Sequence, residues 1–430
     1  MRRLALAAIA VAACQSPAAV SDAAVDPPSV AVAVAPQAAV VGQAFTFDAS
    51  QAGGTFSDPG GRGLTYSVVF DGAARGLAAA GARISGVPDG AGVVRATLTA
   101  RDGQGRAAST GIAIAVFMPG LGEPALPSQP FRYAGLALPA HFTAVTPAPP
   151  PPPGGPPPPA VSVAGADNTP ADNPITDAGA TLGRVLFYDR RLSANDALSC
   201  ASCHQQATGF SDPARLSAGF AGGETGHHSM SLVNARFYQR GRFFWDERAP
   251  TLEAQVLQPV QDPVEMGMDL GDLVVKLAAT SFYAPLFTAA FGSAEITPDR
   301  IARALAQFTR SMVSATSRFD AAFAGGTVVD PNRLAPLERQ GLQLFNGPAA
   351  GCSRCHGTNA QVAGNVFNTG LDATITDAGA GNGRFKTPSL RNVGVRGRFM
   401  HDGRFTTLLE VIEHYDSGVQ DNPGLDPGLR

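Results

Sequence analysis

A chain of 430 residues with 44% apolar content is long enough for two or three separate cores, so a single compact unit is not expected. Its formal charge of −3 and 16% charged residues provide neither a basic face for nucleic acid nor a long acidic run. Charge alone therefore points to no partner and argues against nucleic acid.

The first residues are Met1-Arg2-Arg3, followed by an apolar run over 4–13, a positive start joined to a stretch too short to span a bilayer. This pattern predicts export to the periplasm or cell envelope. Val11-Ala12-Ala13-Cys14 has the form of a bacterial lipobox, so residues 1–14 are expected to be a signal peptide with Cys14 lipidated as the membrane anchor. A plain secretory signal cut nearby is the alternative. Over 27–118, short alternating runs at 29–34, 43–47, 64–70 and 93–100 are separated by Gly, Pro and Asp turns, which predicts an antiparallel, all-β sandwich. Residues 84–90 and 100–105 resemble bacterial immunoglobulin-like or cadherin-like modules, and that resemblance implies a spacer.

Residues 119–164 are expected to be a linker. Within it, 146–159 are almost wholly proline around Gly154-Gly155, which predicts an extended segment without core-forming side chains. For the preceding stretch, 131–142, an isolated strand packed on the next domain is one arrangement, and the sequence does not decide it. Beyond the linker the apolar period becomes helical. Thr297 and Pro298 mark a helix start, and Ile301, Leu305, Phe308 and Met312 share one face. Similar patterns over 176–188, 251–257, 337–345 and 407–415 predict a mostly α-helical region broken by glycine-rich loops. The whole is expected to be multidomain.

The chain has five cysteines: Cys14 and two pairs, each followed at once by histidine, in Cys200-Ala201-Ser202-Cys203-His204 and Cys352-Ser353-Arg354-Cys355-His356. In this pattern two thiols add across the vinyl groups of a haem, and the adjacent imidazole ligates its iron. Cysteine and histidine also make zinc sites, and a bare Cys-x-x-Cys is a redox dithiol. The immediate histidine at both pairs and the export signal favour two covalent c-type haems. They divide the helical region into halves over 165–325 and 326–430.

Between the motifs lie Phe244-Trp245-Asp246, Gln255, Pro259 and Pro263-Val264-Glu265-Met266. Trp245 is the chain's single tryptophan. By itself such a residue is ordinary core material. Taken with both haem motifs, Thr387-Pro388-Ser389-Leu390-Arg391-Asn392 and Met400-His401-Asp402-Gly403-Arg404-Phe405, these residues resemble the bacterial di-haem cytochrome c peroxidase and MauG family from about Asp167 to Arg430.

The resemblance implies an oxidoreductase in which the first haem reacts with hydrogen peroxide. Glu265 and Gln255 lie over its open face, with Pro259 nearby. Trp245 relays electrons from the second haem, which a small redox protein or cytochrome refills. It also implies one calcium ion between the halves, near Asn234 and the carbonyls around Pro388, and a possible homodimer.

For the second iron's sixth ligand, spacing leaves Met400, His401, His414 and Tyr415 open. Tyr415 matches the position that is methionine in the peroxidases and tyrosine in MauG-like members. The loop that carries a capping histidine in the peroxidases matches 219–226 here and contains none, with His227 and His228 falling beyond it. Family members usually continue for a further helix past the final residues 425–430, so a shortened second half is expected. A MauG-like oxidase of a protein or small organic substrate is the alternative activity. A non-catalytic electron-transfer cytochrome and an adhesive surface protein are the readings from other classes.

Overall fold

A computed structural model describes residues 26–145, 162–362 and 364–429. The expectations at Cys14 and over the proline run fall outside the described residues.

Alternation of apolar and polar side chains builds the strands β1 (Ser29–Val30), β2 (Gln37–Val40), β3 (Phe45–Asp48), β4 (Phe56–Ser57), β5 (Thr65–Phe70), β6 (Leu77–Ala80), β7 (Arg83–Gly86), β8 (Gly92–Arg101) and β9 (Ala107–Phe117). One sheet runs β2-β9-β8-β5, a second β3-β7-β6, and β1 pairs with β4. The period of two turns Val94, Ala96 and Leu98 of β8 inward. They meet Ile112 and Ile114 of β9, and Leu77 and Ile84 of the second sheet, in one apolar cluster.

Two details depart from the expected pattern. The alternation at 29–34 yields only the two-residue β1, because β4 offers just two residues to pair with. Strand β2 pairs parallel to β9, Gln37 facing Ile114, so the region is not purely antiparallel. The chain leaves β2 for the other sheet at β3, so β2 has no hairpin partner to reverse against and docks on the free edge of β9.

The linker is ordered where it meets the helical region. Residues 140–143 form a helical turn, α1 (Ala140–Thr143), not a strand. Phe142 is buried there among Val163, Phe237, Tyr238 and Val362. Val145 pairs with Ser162, so the chain departs into the proline run and returns at one place.

The helical region comprises α2 (Asp177–Tyr188), α3 (Cys200–Cys203), α4 (Leu252–Gln261), α5 (Leu270–Ala278), α6 (Tyr283–Phe291), α7 (Pro298–Ser311), α8 (Arg318–Ala321), α9 (Pro336–Asn346), the short pair β10 (Val366–Phe367) and β11 (Phe385–Lys386), and α10 (Leu408–Glu413). Thr176, Thr251, Thr297 and Thr407 cap α2, α4, α7 and α10, each hydroxyl accepting a backbone N–H of the first turn. Helices α2 and α7 cross closely. A Cβ on Gly183 would stand 1.9 Å from the Ala304 carbonyl oxygen, so only glycine permits this crossing. Around it Leu182, Leu186, Leu273, Ile301 and Leu305 form the main core of the first half.

The β region is tied to this half by a polar joint. Arg95 of β8 contacts Asp272 of α5 at 2.5 Å, and the Met118 N–H donates to Asp196 at 2.9 Å. Asp196 also pairs with Lys276 of α5, both side chains fully buried. Among the described residues no single helix is long and apolar enough to cross a membrane.

Candidate functional site

Cys200 and Cys203 begin and end the one-turn helix α3, a spacing of three that brings both sulfurs to the same side. His204 closes the turn, its N–H donating to the Cys200 carbonyl at 2.9 Å. The His204 Nδ1 lies 3.0 Å from the Phe210 carbonyl oxygen. A carbonyl can only accept, so the proton sits on Nδ1 and Nε2 carries a free lone pair, the arrangement of a metal-ligating imidazole. The second motif repeats it, with His356 Nδ1 3.1 Å from the Gln361 carbonyl oxygen.

None of these four cysteines is in a disulfide. Burial, above all else, pushes Cys200 to about 12, Cys203 to about 11 and Cys355 to about 12. A redox dithiol needs a lowered thiol, so that alternative does not fit. Nor do the described residues hold a cluster of three or more His, Cys, Asp or Glu side chains suited to a metal ion. Two thiols beside an imidazole with a free Nε2, twice over, fit covalent haem. Intact mass of the mature protein is expected to exceed that of the polypeptide by two haems. A gain of one or none would remove one or both attachment sites.

Beside the first motif lies a cavity of about 290 Å³, bounded by Cys200, Cys203 and His204. Trp245, Gln255, Pro259 and Glu265, dispersed over twenty residues of sequence, all line it. Helix α4 carries Gln255 and Pro259, and the turn that follows it carries Glu265. Burial raises the Glu265 carboxyl above the ordinary value; the Asp262 carboxylate adds to this and the Arg248 guanidinium opposes it. The buried indole of Trp245 is fixed by its N–H donating to the His228 carbonyl at 2.8 Å, and its own carbonyl accepts the Lys386 N–H at 2.8 Å. Trp245 thus joins the first half to β11 of the second.

The candidates for the second iron separate by their contacts. His414 Nε2 lies 2.9 Å from the Thr369 carbonyl oxygen and is engaged there. His401 stacks on Phe385, ring centroids 3.6 Å apart, with Nε2 3.9 Å from an Asp377 carboxylate oxygen. Met400 lies in a turn with φ +71°. Tyr415 follows α10 in a π-helical turn, a local widening frequent at functional positions. The residue as a whole is 41% exposed, while burial first, then the thiols of Cys355 and Cys352, push its phenol up and a hydrogen bond with Thr369 opposes them.

Asn234 is held in a left-handed conformation, φ +60°, and its side chain clasps Ser314. The amide oxygen accepts the Ser314 N–H at 2.9 Å and the amide nitrogen donates to the Ser314 carbonyl at 3.2 Å. Both ends of the amide are occupied, so Asn234 gives no support to the expected calcium ion. Asn234 and Pro388 both line the first cavity.

Two further residues in the cavity wall escaped sequence reasoning, Tyr238 and Lys386, and His228, which the sequence sets beyond the loop at 219–226, lines it too. A signal existed for the lysine. The chain has only two lysines, Lys276 and Lys386, among its 32 basic residues, and both are buried, a rare setting for this side chain.

A family model described as di-haem cytochrome c peroxidase matches residues 177–327. The methylamine utilization protein MauG of Methylorubrum extorquens is 36% identical over 267 residues, 60% of this chain and 73% of that protein. Cytochrome c551 peroxidase of Nitrosomonas europaea is 34% identical over 248 residues, 54% of this chain and 71% of that protein. Among solved structures, a MauG-like protein associated with microbial copper homeostasis superposes with a TM-score of 0.53 at 32% identity, over 61% of this chain and 84% of its own. The di-haem peroxidase BthA of Burkholderia thailandensis gives 0.51 at 25%, over 59% and 74%. With paired haem motifs, the cavity beside the first of them and these relatives, the chain belongs to the di-haem cytochrome c peroxidase family, a group of oxidoreductases with two c-type haems that also holds the MauG proteins.

Proposed function

We propose that this protein reduces hydrogen peroxide at the first haem site with electrons passed from the second. The observation that carries this reading is Glu265, a half-buried carboxyl with a raised pKa in the wall of the cavity bounded by Cys200, Cys203 and His204. When bound, the haems supply the iron redox chemistry and the electron path. His204 would hold the first iron through Nε2, its ring oriented by the Nδ1–H bond to the Phe210 carbonyl. Glu265 would accept the proton from the near oxygen of peroxide and return it to the departing one, as a general acid and base. Gln255 would orient the peroxide through its amide. Trp245, anchored to both halves, would serve as the relay between the sites. Peroxide, two electrons and two protons give two waters, the electrons coming from a small redox protein.

We divide the chain accordingly into a β module over 27–118, a linker, a peroxide-reacting half over 165–325 and an electron-transfer half over 326–430. An exported protein held at the membrane through Cys14 fits this role. The test is peroxide consumption by the purified haem-loaded protein with a reduced c-type cytochrome. Two cytochromes oxidised per peroxide are expected. Peroxide loss without donor oxidation would refute the reading.

We further propose Tyr415 as the sixth ligand of the second iron. Both thiols of that motif disfavour its phenolate, among the described residues only a hydrogen bond with Thr369 favours it, and a ferric iron would supply the opposing charge. Tyr415→Phe is then expected to change the low-spin EPR signal of one haem and leave the other reactive toward peroxide. Unchanged spectra, with Met400→Leu altering one, would transfer the assignment to Met400. A tyrosine here and the histidine-free loop at 219–226 also support a second activity, MauG-like oxidation of a protein side chain or small organic molecule. Persistent oxidation of such a substrate, with reduced cytochrome left untouched, would favour it.

A further inference from the structure

The two lysines of this chain are a natural comparison. Lys276 is fully buried and forms an ion pair with Asp196, with the Ser193 carbonyl as a second acceptor at 3.2 Å. Lys386, 5% exposed, forms no ion pair with any described residue. Its ammonium donates to one acceptor, the Arg242 carbonyl at 3.2 Å, and otherwise faces the rings of Tyr238 at 3.9 Å and Phe243 at 4.4 Å. The carboxylate whose field reaches it, Glu247, is already bonded to the Tyr238 hydroxyl and to Arg240. Burial pulls the ammonium down to about 7. A buried cation without a counter-ion is costly enough that such groups are paired wherever they persist.

Lys386 forms part of the wall of the first haem cavity, and so does His228, 1% exposed, whose Nδ1 is engaged by the Arg215 carbonyl at 3.1 Å and whose Nε2 has no partner. Burial first, then the charge of Arg396, which lies outside that wall, lower this imidazole to about 4, so it is neutral and its Nε2 can only accept. The Lys386 ammonium is separate from the proton-handling group, because the charges acting on Glu265 are Asp262 and Arg248. A cavity wall that holds a buried ammonium with no protein carboxylate paired to it calls for an anionic occupant.

We propose that Lys386 is the counter-ion of a propionate carboxylate of the haem attached at Cys200 and Cys203. The porphyrin brings two carboxylates, and the open donors of the ammonium provide what a carboxylate accepts. Because β11 delivers Lys386 from the second half, the first haem is gripped by both halves of the protein. Lys386 is thus a positioning residue that tunes the haem through its charge.

The test is spectroelectrochemistry of the haem-loaded protein and its Lys386→Met variant. Reduction adds one electron to the haem, and a nearby cation favours it. Removing the cation should lower the reduced-to-oxidised ratio of the first haem about tenfold at fixed potential, or about 59 mV for a one-electron couple. Lys386→Arg, which retains the charge, should restore most of that ratio, and the second haem should be unmoved. If Lys386→Met yields no loaded protein, Lys386→Gln reads the same couple, since it keeps a hydrogen bond without the charge. No shift in either haem, or a shift confined to the second, would overturn the assignment. These outcomes do not depend on peroxide turnover, so failure here is distinguishable from failure of the peroxidase reading.

Discussion

Glu265→Gln is expected to slow peroxide turnover about 10²–10⁴-fold while leaving two haems attached and their resting spectra intact. The glutamine keeps the shape and a hydrogen bond but cannot take a proton. Arg248 holds no transferable proton near neutral pH, and Gln255 is an amide. The same carboxyl sets the acid limb of the pH profile. As a base it must be ionised, so activity is lost as pH falls through its pKa. Burial and Asp262 raise that pKa, so the acid limb should lie above the ordinary carboxylate range. In Glu265→Gln this limb should disappear. A rate within a few-fold of wild type in stopped-flow peroxide reaction would remove Glu265 from the mechanism.

Asp196→Ala is expected to destabilise the first half by about 3–5 kcal/mol, because it strands the Lys276 ammonium in a site with no solvent access. The loss has a second part. Asp196 also accepts the Met118 N–H at 2.9 Å, immediately after β9, so the joint between the β region and the helical half loosens together with the ion pair. The double change Lys276→Met with Asp196→Leu should recover most of the loss, since an apolar pair of similar volume leaves no charge to compensate. Denaturant titration followed by haem absorbance measures both variants. A shift below about 1 kcal/mol in Asp196→Ala would show that the buried pair is dispensable.

Local patterns in the sequence carried far. The alternation at 93–100 became β8, and the threonine caps at 176, 251, 297 and 407 begin α2, α4, α7 and α10 where the periodicity places them. Capping and alternation depend on neighbours within a few residues, so they survive whatever the rest of the chain does. The turn at 140–143 did not follow from its local composition. Phe142 is drawn into a cluster with Phe237, Tyr238 and Val362, residues far along the chain, and that burial outweighs the preference of its surroundings for extended backbone.

The sequence by itself determined the cofactor and the family. Thioether attachment and axial ligation reside in five consecutive residues, so Cys200 to His204 and Cys352 to His356 declare them without reference to fold. Tertiary structure decided the environment of each group. It brought Glu265 and Gln255 to one cavity, clasped Asn234 to Ser314, and set Lys276 against a carboxylate while leaving Lys386 without one. Desolvation and pairing are properties of what surrounds a side chain, and those surroundings come from segments as distant as β11 and the first motif, which only the folded chain brings together.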